Sequence, residues 1–266
     1  MDTFGGTCNL KPGTWNLKPS LITGRNPVIE ALKARRPIEK ILILRGSHGK
    51  PIQMIKSLAR ENGVIVTEVD KQKFRSLTQS ESAQGVVAIA GVKEYDDLDT
   101  LLENISSASG AKRPFLLILD EITDPHNIGA LIRTAECAGV DGIILPKHHA
   151  ASLTDTVLKT SAGAVEHIPV SRVTNVANTI DRLKEDGYWI IGTDGAADKL
   201  YDEIDLTLPV AIIIGAEGKG MRRLVKEKCD FLVRIPLKGK IESLNASVAG
   251  AIIMYEVVRQ RARGIG

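Results

Sequence analysis

The sequence predicts an α/β protein: a small N-terminal α/β domain followed by a larger one built on a parallel sheet. Three observations lead there. Helical and strand-like patterns alternate along most of the 266 residues. The strand-like runs of the second half are almost continuously apolar, as strands covered on both faces are. Apolar residues make up 43% of the chain and aromatics only 4%, so Val, Ile, Leu and Ala must build the core. A chain of this length buries enough of them to fold without metal or disulfide staples.

Residues 1–20 are polar, contain Pro and Gly, and repeat Asn-Leu-Lys-Pro from Asn9 and again from Asn16. They are expected to form a flexible extension, with a Trp15-anchored arm as the other reading, and they lack the apolar stretch of a secretory signal. The first domain is expected over 21–93. Asn26 and Pro27 provide a cap and a first-turn proline for a helix running to Arg36, and Ile38–Leu44 reads as a strand. Pro51 opens a second helix that stops at Asn62-Gly63, followed by a strand over Val64–Val69. Asp70–Leu77 has helical spacing, and Gly85–Gly91 reads as a buried strand. Residues 94–113 are acidic and then rich in Ser and Gly, which predicts a linker, part of it with helical spacing.

The second domain is expected over 114–266. Six runs have strand character: Phe115–Asp120, Gly142–Pro146, His167–Val173, Tyr188–Asp194, Val210–Gly215 and Phe231–Pro236. Helical stretches alternate with them over Asn127–Gly139, Asp155–Gly163, Asn175–Gly187, Gly220–Lys228 and Ala246–Arg261. Ligands of such sheets bind beyond the carboxyl ends of the strands, so those loops should carry the chemistry.

Several functions are excluded or disfavoured. No apolar run is long enough for a transmembrane helix. Cys8, Cys137 and Cys229 are scattered with no CxxC pair, which predicts buried thiols, a reducing compartment and a cytoplasmic protein. No metal-ligand cluster is visible, and His148-His149 reads as a solvated loop pair. Neither GxGxxG nor a Walker A loop follows a strand, which argues against a nucleotide-dependent metabolic enzyme.

Three loops stand out. After Phe115–Asp120 comes a polar, Pro-containing turn in which Asn127 could cap a helix that carries Arg133 among apolar neighbours. A charged side chain in that company needs a partner or a task. The run Gly215-Ala216-Glu217-Gly218-Lys219-Gly220 reads either as a tight turn or as a loop that lets a ligand approach backbone amides. Ser243, Asn245 and Ser247 precede a helix rich in small residues, as helix caps or as ligand contacts, and those small residues imply a close neighbour, another helix or a partner subunit.

Together the three resemble the signature motifs of the SpoU family of RNA ribose-2′-O-methyltransferases. The matching residues are Asn127 with Arg133-Thr134-Ala135, then Ile214-Gly215-Ala216-Glu217-Gly218 with Gly220, then Ile235-Pro236 with Ser243-Leu244-Asn245 and Ser247. Gly24-Arg25-Asn26-Pro27-Val28 and Gln84-Gly85-Val86-Val87-Ala88 resemble the substrate-binding domain of members that modify a guanosine of 23S ribosomal RNA, although Ala83 stands where many members have His. The resemblance implies a C-terminal SPOUT domain with a trefoil knot, which ordinary connection rules would never propose. It implies a homodimer through that region, S-adenosylmethionine as cofactor, RNA as partner, and no part for membrane, DNA or metal. Gly215, Ile235 and Leu244 would contact the cofactor. Arg133 would act at the ribose 2′-hydroxyl, with Asn127, Asn245 and Ser243 orienting the groups and Glu217 fixing its loop or pairing with Arg133. Methylation of tRNA or of an antibiotic-resistance site in rRNA is the alternative by the same chemistry, and a non-catalytic RNA-binding relative the alternative from another class.

Charge is segregated along the chain. Residues 11–50 hold nine Lys/Arg against two Asp/Glu, residues 221–240 seven against two, and residues 181–205 three against eight. This predicts a basic face for phosphates and an acidic face turned away.

Overall fold

The computed structural model describes residues 20–78, 83–91, 93–108, 113–148, 150 and 152–263. The N-terminal domain runs β1 (Ser20–Thr23), α1 (Arg25–Lys33), β2 (Ile38–Leu44), α2 (Lys50–Glu61), β3 (Ile65–Val69), α3 (Lys71–Leu77) and β4 (Val86–Ala90). Its sheet has the order β1-β4-β2-β3, in which only β2 and β3 are parallel. Alternation along the strands separates two small cores. Ile41, Ile43, Val86 and Ala88 face α1 and α2, while Leu42 and Val87 face Phe74 of α3.

Two details differ from the sequence reading. The cap of α1 is Gly24, at φ 103°, rather than Asn26. The Gly24 amide donates to the Val86 carbonyl at 3.1 Å, so the chain turns directly from β1 into the helix and leaves Asn26 inside its first turn. Ser20–Thr23 forms β1, a strand the sequence reading did not include, with Ser20, placed in the extension, opposite Ala90. Cys8, Trp15 and the rest of the extension lie outside the described residues, as does His149.

The expected linker is for the most part a piece of the second domain. Leu98–Ala108 forms α4 and buries Leu101, Leu102 and Ile105 against Leu116, Ile118 and Ile144. Leu98, Leu101, Leu102 and Ile105 follow the i, i+3, i+4, i+7 spacing of an amphipathic helix, which outweighed the acidic and Ser-rich composition around them.

The second domain continues β5 (Phe115–Asp120), α5 (Pro125–Cys137), β6 (Gly142–Pro146), α6 (Asp155–Thr160), β7 (Val170–Val173), α7 (Val176–Glu185), β8 (Trp189–Thr193), β9 (Lys199–Leu200), β10 (Val210–Gly215), α8 (Arg223–Glu227), β11 (Phe231–Arg234) and α9 (Ala246–Arg263). The six expected strands are present, and the two-residue β9 joins them at the sheet edge. The order is β7-β6-β5-β10-β8-β11-β9 with every pair parallel. One face of the sheet (Leu117, Leu119, Ile212, Ile214) packs on α5, α6 and α9, and the other (Leu116, Ile118, Ala211, Ile213) on α4, α7 and α8. From β5 the chain winds one way through β6 and β7, while β8 to β11 lie on the other side. The switch point therefore falls at the carboxyl ends of β5 and β10.

The two domains are docked. Arg36 forms an ion pair with Glu166, both side chains nearly fully buried, and its Nη2 donates to the Gly91 carbonyl at 2.5 Å. His167 Nε2 lies 2.8 Å from Glu30 Oε2. Burial alone would push the Glu30 carboxyl up, but the hydrogen bonds from Lys33 and His167 outweigh it and hold it below the usual carboxylate range.

Candidate active site

At the switch point, loops after β10 and β11 and the start of α9 enclose a cavity of about 410 Å³. Its wall includes Gly215, Ile235 and Leu244, the three residues expected at the cofactor, together with Glu217 and Ser243. Ile214, Met221, Val233 and Ile253 make much of it apolar, and Asp194, Lys226 and Glu242 add charge. The size and the mixture suit a small organic ligand.

Asn127, Glu217 and Asn245, distant in sequence, meet at its rim. Asn127 Nδ2 donates to Glu217 Oε1 at 2.8 Å, and Asn245 Nδ2 donates to the same oxygen at 2.5 Å and to Asn127 Oδ1 at 2.9 Å. The Ala246 amide, first of α9, also donates to Glu217 Oε1 at 3.1 Å. A carboxylate that takes several N–H groups at a helix N-terminus is well placed to fix the loop that carries it. Asn245 caps α9, its Oδ1 accepting from the Ser247 amide at 3.0 Å. Asn127 caps nothing: Asp124 holds that position for α5, accepting from the His126 amide at 3.0 Å.

The Gly-rich loop is built by its own packing. A Cβ on Gly215 would lie 2.4 Å from the Gly220 carbonyl carbon and from the Met221 amide nitrogen, so glycine here lets the loop fold back on its strand. The small-residue face of α9 is resolved the same way. A Cβ on Gly250 would fall 2.4 Å from Leu131 of α5, so the close neighbour there is a helix of the same chain.

The sequence reading missed Asp120 and Arg222. Asp120, fully buried at the end of β5, accepts from the Arg222 backbone and from two of its guanidinium nitrogens. The signal was available: a carboxylate ending the apolar run FLLILD must find a partner.

Arg133 stands apart. It is exposed on α5 and makes no hydrogen bond or ion pair among the described residues, so Glu217 does not pair with it. Six residues on a helix turn Arg133 by about 240° from Asn127, onto another face. Ser243 is exposed at the cavity mouth. Cys137 is exposed rather than buried, at the solvent side of the last turn of α5.

The charge segregation is partly cancelled in three dimensions. Lys226 pairs with Asp194 and Lys228 with Asp181, so two cations of the basic stretch 221–240 are answered by acids of the stretch 181–205, and Lys184 pairs with Asp230 in the opposite sense. Adjacent parallel strands and α7·α8 packing put them side by side. Among the described residues no cluster of three or more His, Cys, Asp or Glu could hold a metal, and no helix is long and apolar enough to cross a membrane.

A parallel switch-point sheet with this cavity and this triad of loops defines a methyltransferase of the SpoU type, and comparison with known proteins agrees. Residues 114–255 match the SpoU rRNA Methylase family, and residues 21–96 match the RNA 2′-O ribose methyltransferase substrate-binding domain. The chain belongs to the SpoU family of RNA methyltransferases, whose cofactor is S-adenosylmethionine. It is 45% identical over 240 residues to YacO of Bacillus subtilis, named as a TrmH family tRNA/rRNA methyltransferase, which covers 90% of this chain and 95% of that one. A Staphylococcus saprophyticus relative of the same family name is 48% identical over 91% of this chain and 96% of its own. Among solved structures, the SpoU methyltransferase AviRb of Streptomyces viridochromogenes in complex with AdoMet has a TM-score of 0.76 at 27% identity, covering 92% of this chain and 91% of that one. An AdoMet-bound rRNA methyltransferase of Sinorhizobium meliloti has a TM-score of 0.74 at 26% identity, over 91% and 87%.

Proposed function

We propose that the protein methylates the ribose 2′-hydroxyl of a guanosine in 23S rRNA, in the cytoplasm, as a homodimer. The observation that carries this reading is the meeting of Asn127, Glu217 and Asn245 at the mouth of the 410 Å³ cavity. Bound there, S-adenosylmethionine supplies a methyl group on a sulfonium, an electrophile that needs no further activation. The chain has to orient the hydroxyl and ease the loss of its proton.

Gly215, Ile235 and Leu244 offer backbone groups and apolar surface to an adenosyl group. Asn127 and Asn245, held by Glu217, keep the rim rigid and leave polar capacity for ribose. Ser243 at the mouth adds a hydroxyl. Arg133, without a hydrogen bond or ion pair among the described residues, is available to a phosphate and to the alkoxide that develops as the proton leaves. A guanidinium stays protonated, so stabilising charge suits it better than accepting a proton. The second copy would pack on α9, where Val248 and Tyr255, seven residues apart on one face, are 47% and 50% exposed. The trefoil knot would be formed by the loops that enclose the cavity.

The names of the relatives leave a tRNA substrate as the second reading. Mapping 2′-O-methyl groups on rRNA and tRNA from a strain lacking the protein tests both. Loss of one guanosine methyl in 23S rRNA, restored by the wild-type gene, is the expected result. Loss from tRNA alone would establish the second reading, and no change in either would overturn both.

A further inference from the structure

We infer that Arg36 is a positioning residue for the methyl transfer. Held between Glu166 of the second domain and the Gly91 carbonyl, it fixes the angle at which the N-terminal domain sits against α5 and the cavity rim. This rests on the reading of the protein as an RNA methyltransferase and adds what aligns its two domains for the reaction.

The connection between the domains is short. β4 ends at Ala90, and Asp96 already belongs with the large sheet: it bridges to Ser171, and its Oδ2 accepts from the Val170 amide at 3.1 Å. Tyr95 is fixed as well. Its hydroxyl accepts from the Leu153 amide at 2.9 Å, and the Arg172 guanidinium lies 4.8 Å from its ring centre. Residues 91–95 therefore join the domains over a reach of roughly 20 Å at full stretch. Such a tether keeps the domains together but leaves their mutual angle free. Contacts across the seam have to set it.

The way α1 ends brings Arg36 to that seam. Arg35 takes a left-handed conformation, at φ 53°, where glycine is usual. Its amide donates to the Leu32 carbonyl at 3.1 Å and the Arg36 amide to the Ala31 carbonyl at 3.0 Å, which closes the helix. The Arg36 guanidinium then pairs with Glu166, in the short 3-10 turn Ala164–Glu166 that follows α6, while Nη2 donates to Gly91. One buried side chain thus ties together the end of α1, the exit of β4 and the second domain. The planar fork of a guanidinium can hold two oxygens in this way, and an ammonium cannot do so in the same geometry. Burial also draws the Lys93 ammonium, in the connection itself, below its ordinary range, against the pull of Glu166 and Asp96.

Around this pair the domains fit closely. A Cβ on Gly163 would fall 2.6 Å from Glu30 Cβ and 3.3 Å from Pro27 Cα, so α1 sits directly on the turn after α6. β1 lies against α6, where Ser20 hydrogen-bonds to Asp155.

The same turn and helix are locked to the active-site helix. A Cβ on Gly129 of α5 would lie 1.8 Å from Thr160 Oγ1, and that hydroxyl donates to the Pro125 carbonyl at 3.3 Å. The fit falls on α5 between Asn127 and Arg133, so the angle of the N-terminal domain is transmitted to both through one rigid pair of helices. A domain of this size is roughly 30 Å across, so a tilt of about 5° moves its far edge about 2 to 3 Å. Misplacing a reacting group by about 1 Å can cost about 100-fold in rate.

The test uses the full-length protein with transcripts of 23S rRNA and tRNA. Arg36→Met should lower single-turnover methyl transfer about tenfold or more, while the dissociation constants for S-adenosylmethionine and for the transcript change less than about threefold. Hydrogen exchange should quicken at the amides of 93–97 and 164–167 and stay slow in β2 and β10, which separates an opened seam from an unfolded domain. Arg36→Lys keeps the charge on Glu166 without the fork to Gly91. It should recover part of the rate, and it supplies the same comparison if Arg36→Met does not fold. Arg182→Met, which removes an exposed ion pair with Asp99 inside the second domain, should leave transfer at its wild-type rate. Wild-type transfer in the Arg36 variants, with or without opened seam amides, would overturn the positioning role. A rate loss accompanied by fast exchange in β10 or by lost S-adenosylmethionine affinity would overturn it too, because the pair would then hold only the fold. A wild-type protein that bound S-adenosylmethionine but methylated neither transcript would instead remove the reading on which the inference rests.

Discussion

Asp120 and Arg222 close the far end of the Gly-rich loop onto β5. The Arg222 amide donates to Asp120 Oδ2 at 2.9 Å, and Nε and Nη2 donate to Oδ1 at 2.8 and 2.5 Å. The other end of that loop is held by Glu217 on Asn127, Asn245 and α9. Residues 216–221, one wall of the cavity, are therefore clamped at two points by carboxylates facing fixed donors.

Graded loss should follow from this geometry. Arg222→Met keeps the backbone donor and removes two of the three bonds, so a fully buried carboxylate loses most of its compensation. We expect about 2–4 kcal/mol of destabilisation, toward the low end because Arg222 is partly solvated. The KM for S-adenosylmethionine should rise severalfold while kcat changes little. Asp120→Ala should raise KM further. A change in melting temperature with an unaltered KM would mean that the clamp holds the fold and not the cavity.

Much of this arrangement was legible in the sequence, and the exceptions have physical causes. The apolar runs fixed every strand of the large sheet except β9, whose two residues are too short to show a period. The motif residues Asn127, Glu217 and Asn245 proved to be mutual partners, but which of them paired with which depends on loop paths that no local pattern encodes. Arg133 was expected to need a partner because of its apolar neighbours. Those neighbours face the core, and Arg133 lies on the remaining exposed strip of α5. In 94–113 the composition of the flanks obscured the four apolar positions that make α4. The charge counts misled because segments far apart in sequence are neighbours in the sheet.

The position of α4 sets where the second domain can be cut. A fragment beginning at Pro114 loses Leu101, Leu102 and Ile105 and uncovers Leu116, Ile118 and Ile144. A fragment beginning at Glu94 keeps them, along with the bond from Asp96 N to Val170 O at 2.9 Å. Exposure of that face should cost several kcal/mol, at about 25 cal/mol per Å² of apolar surface. The longer fragment should melt cooperatively and bind S-adenosylmethionine in calorimetry, while the shorter one aggregates or melts at much lower temperature. Equal melting of the two would show that α4 contributes nothing to the domain.

Alkaline pH should weaken the fold through a half-buried thiol and a buried phenol. Burial pushes the Cys229 thiol up to about 12, with the Asp230 and Asp120 charges adding to it against Lys184. Burial, with Asp141 and Asp186, likewise pushes the Tyr188 phenol up to about 12. In the unfolded chain these groups ionise near pH 8.5 and 10. Between those values and pH 12 the folded state binds more protons than the unfolded one, so stability is intact below about pH 8.5 and falls as pH rises. Cys229→Val should flatten the first part of the decline in melting temperature. Iodoacetamide at pH 8.5 should label exposed Cys137 and spare Cys229. Labelling of both at one rate would contradict the partial burial and raised pKa of Cys229.

Arg133 offers the sharpest test of the chemistry, because its exposure and lack of partners separate catalysis from stability. Arg133→Ala removes no hydrogen bond or ion pair seen among the described residues, so the melting temperature should shift little. If the guanidinium stabilises charge at the ribose oxygen or its neighbouring phosphate, single-turnover methyl transfer should fall about 10²–10³-fold. S-adenosylmethionine affinity should hold, since Arg133 is not part of the cavity wall. Arg133→Lys should rescue poorly, because an ammonium keeps the charge but loses the planar fork that binds two oxygens together. The pH profile would separate the two roles further. A charge stabiliser that never titrates leaves the slope of rate against pH unchanged, whereas a general base that deprotonates would take its limb of the profile with it. Normal transfer by a stable Arg133→Ala protein would remove Arg133 from the reaction and leave the 2′-hydroxyl to the groups at the cavity rim.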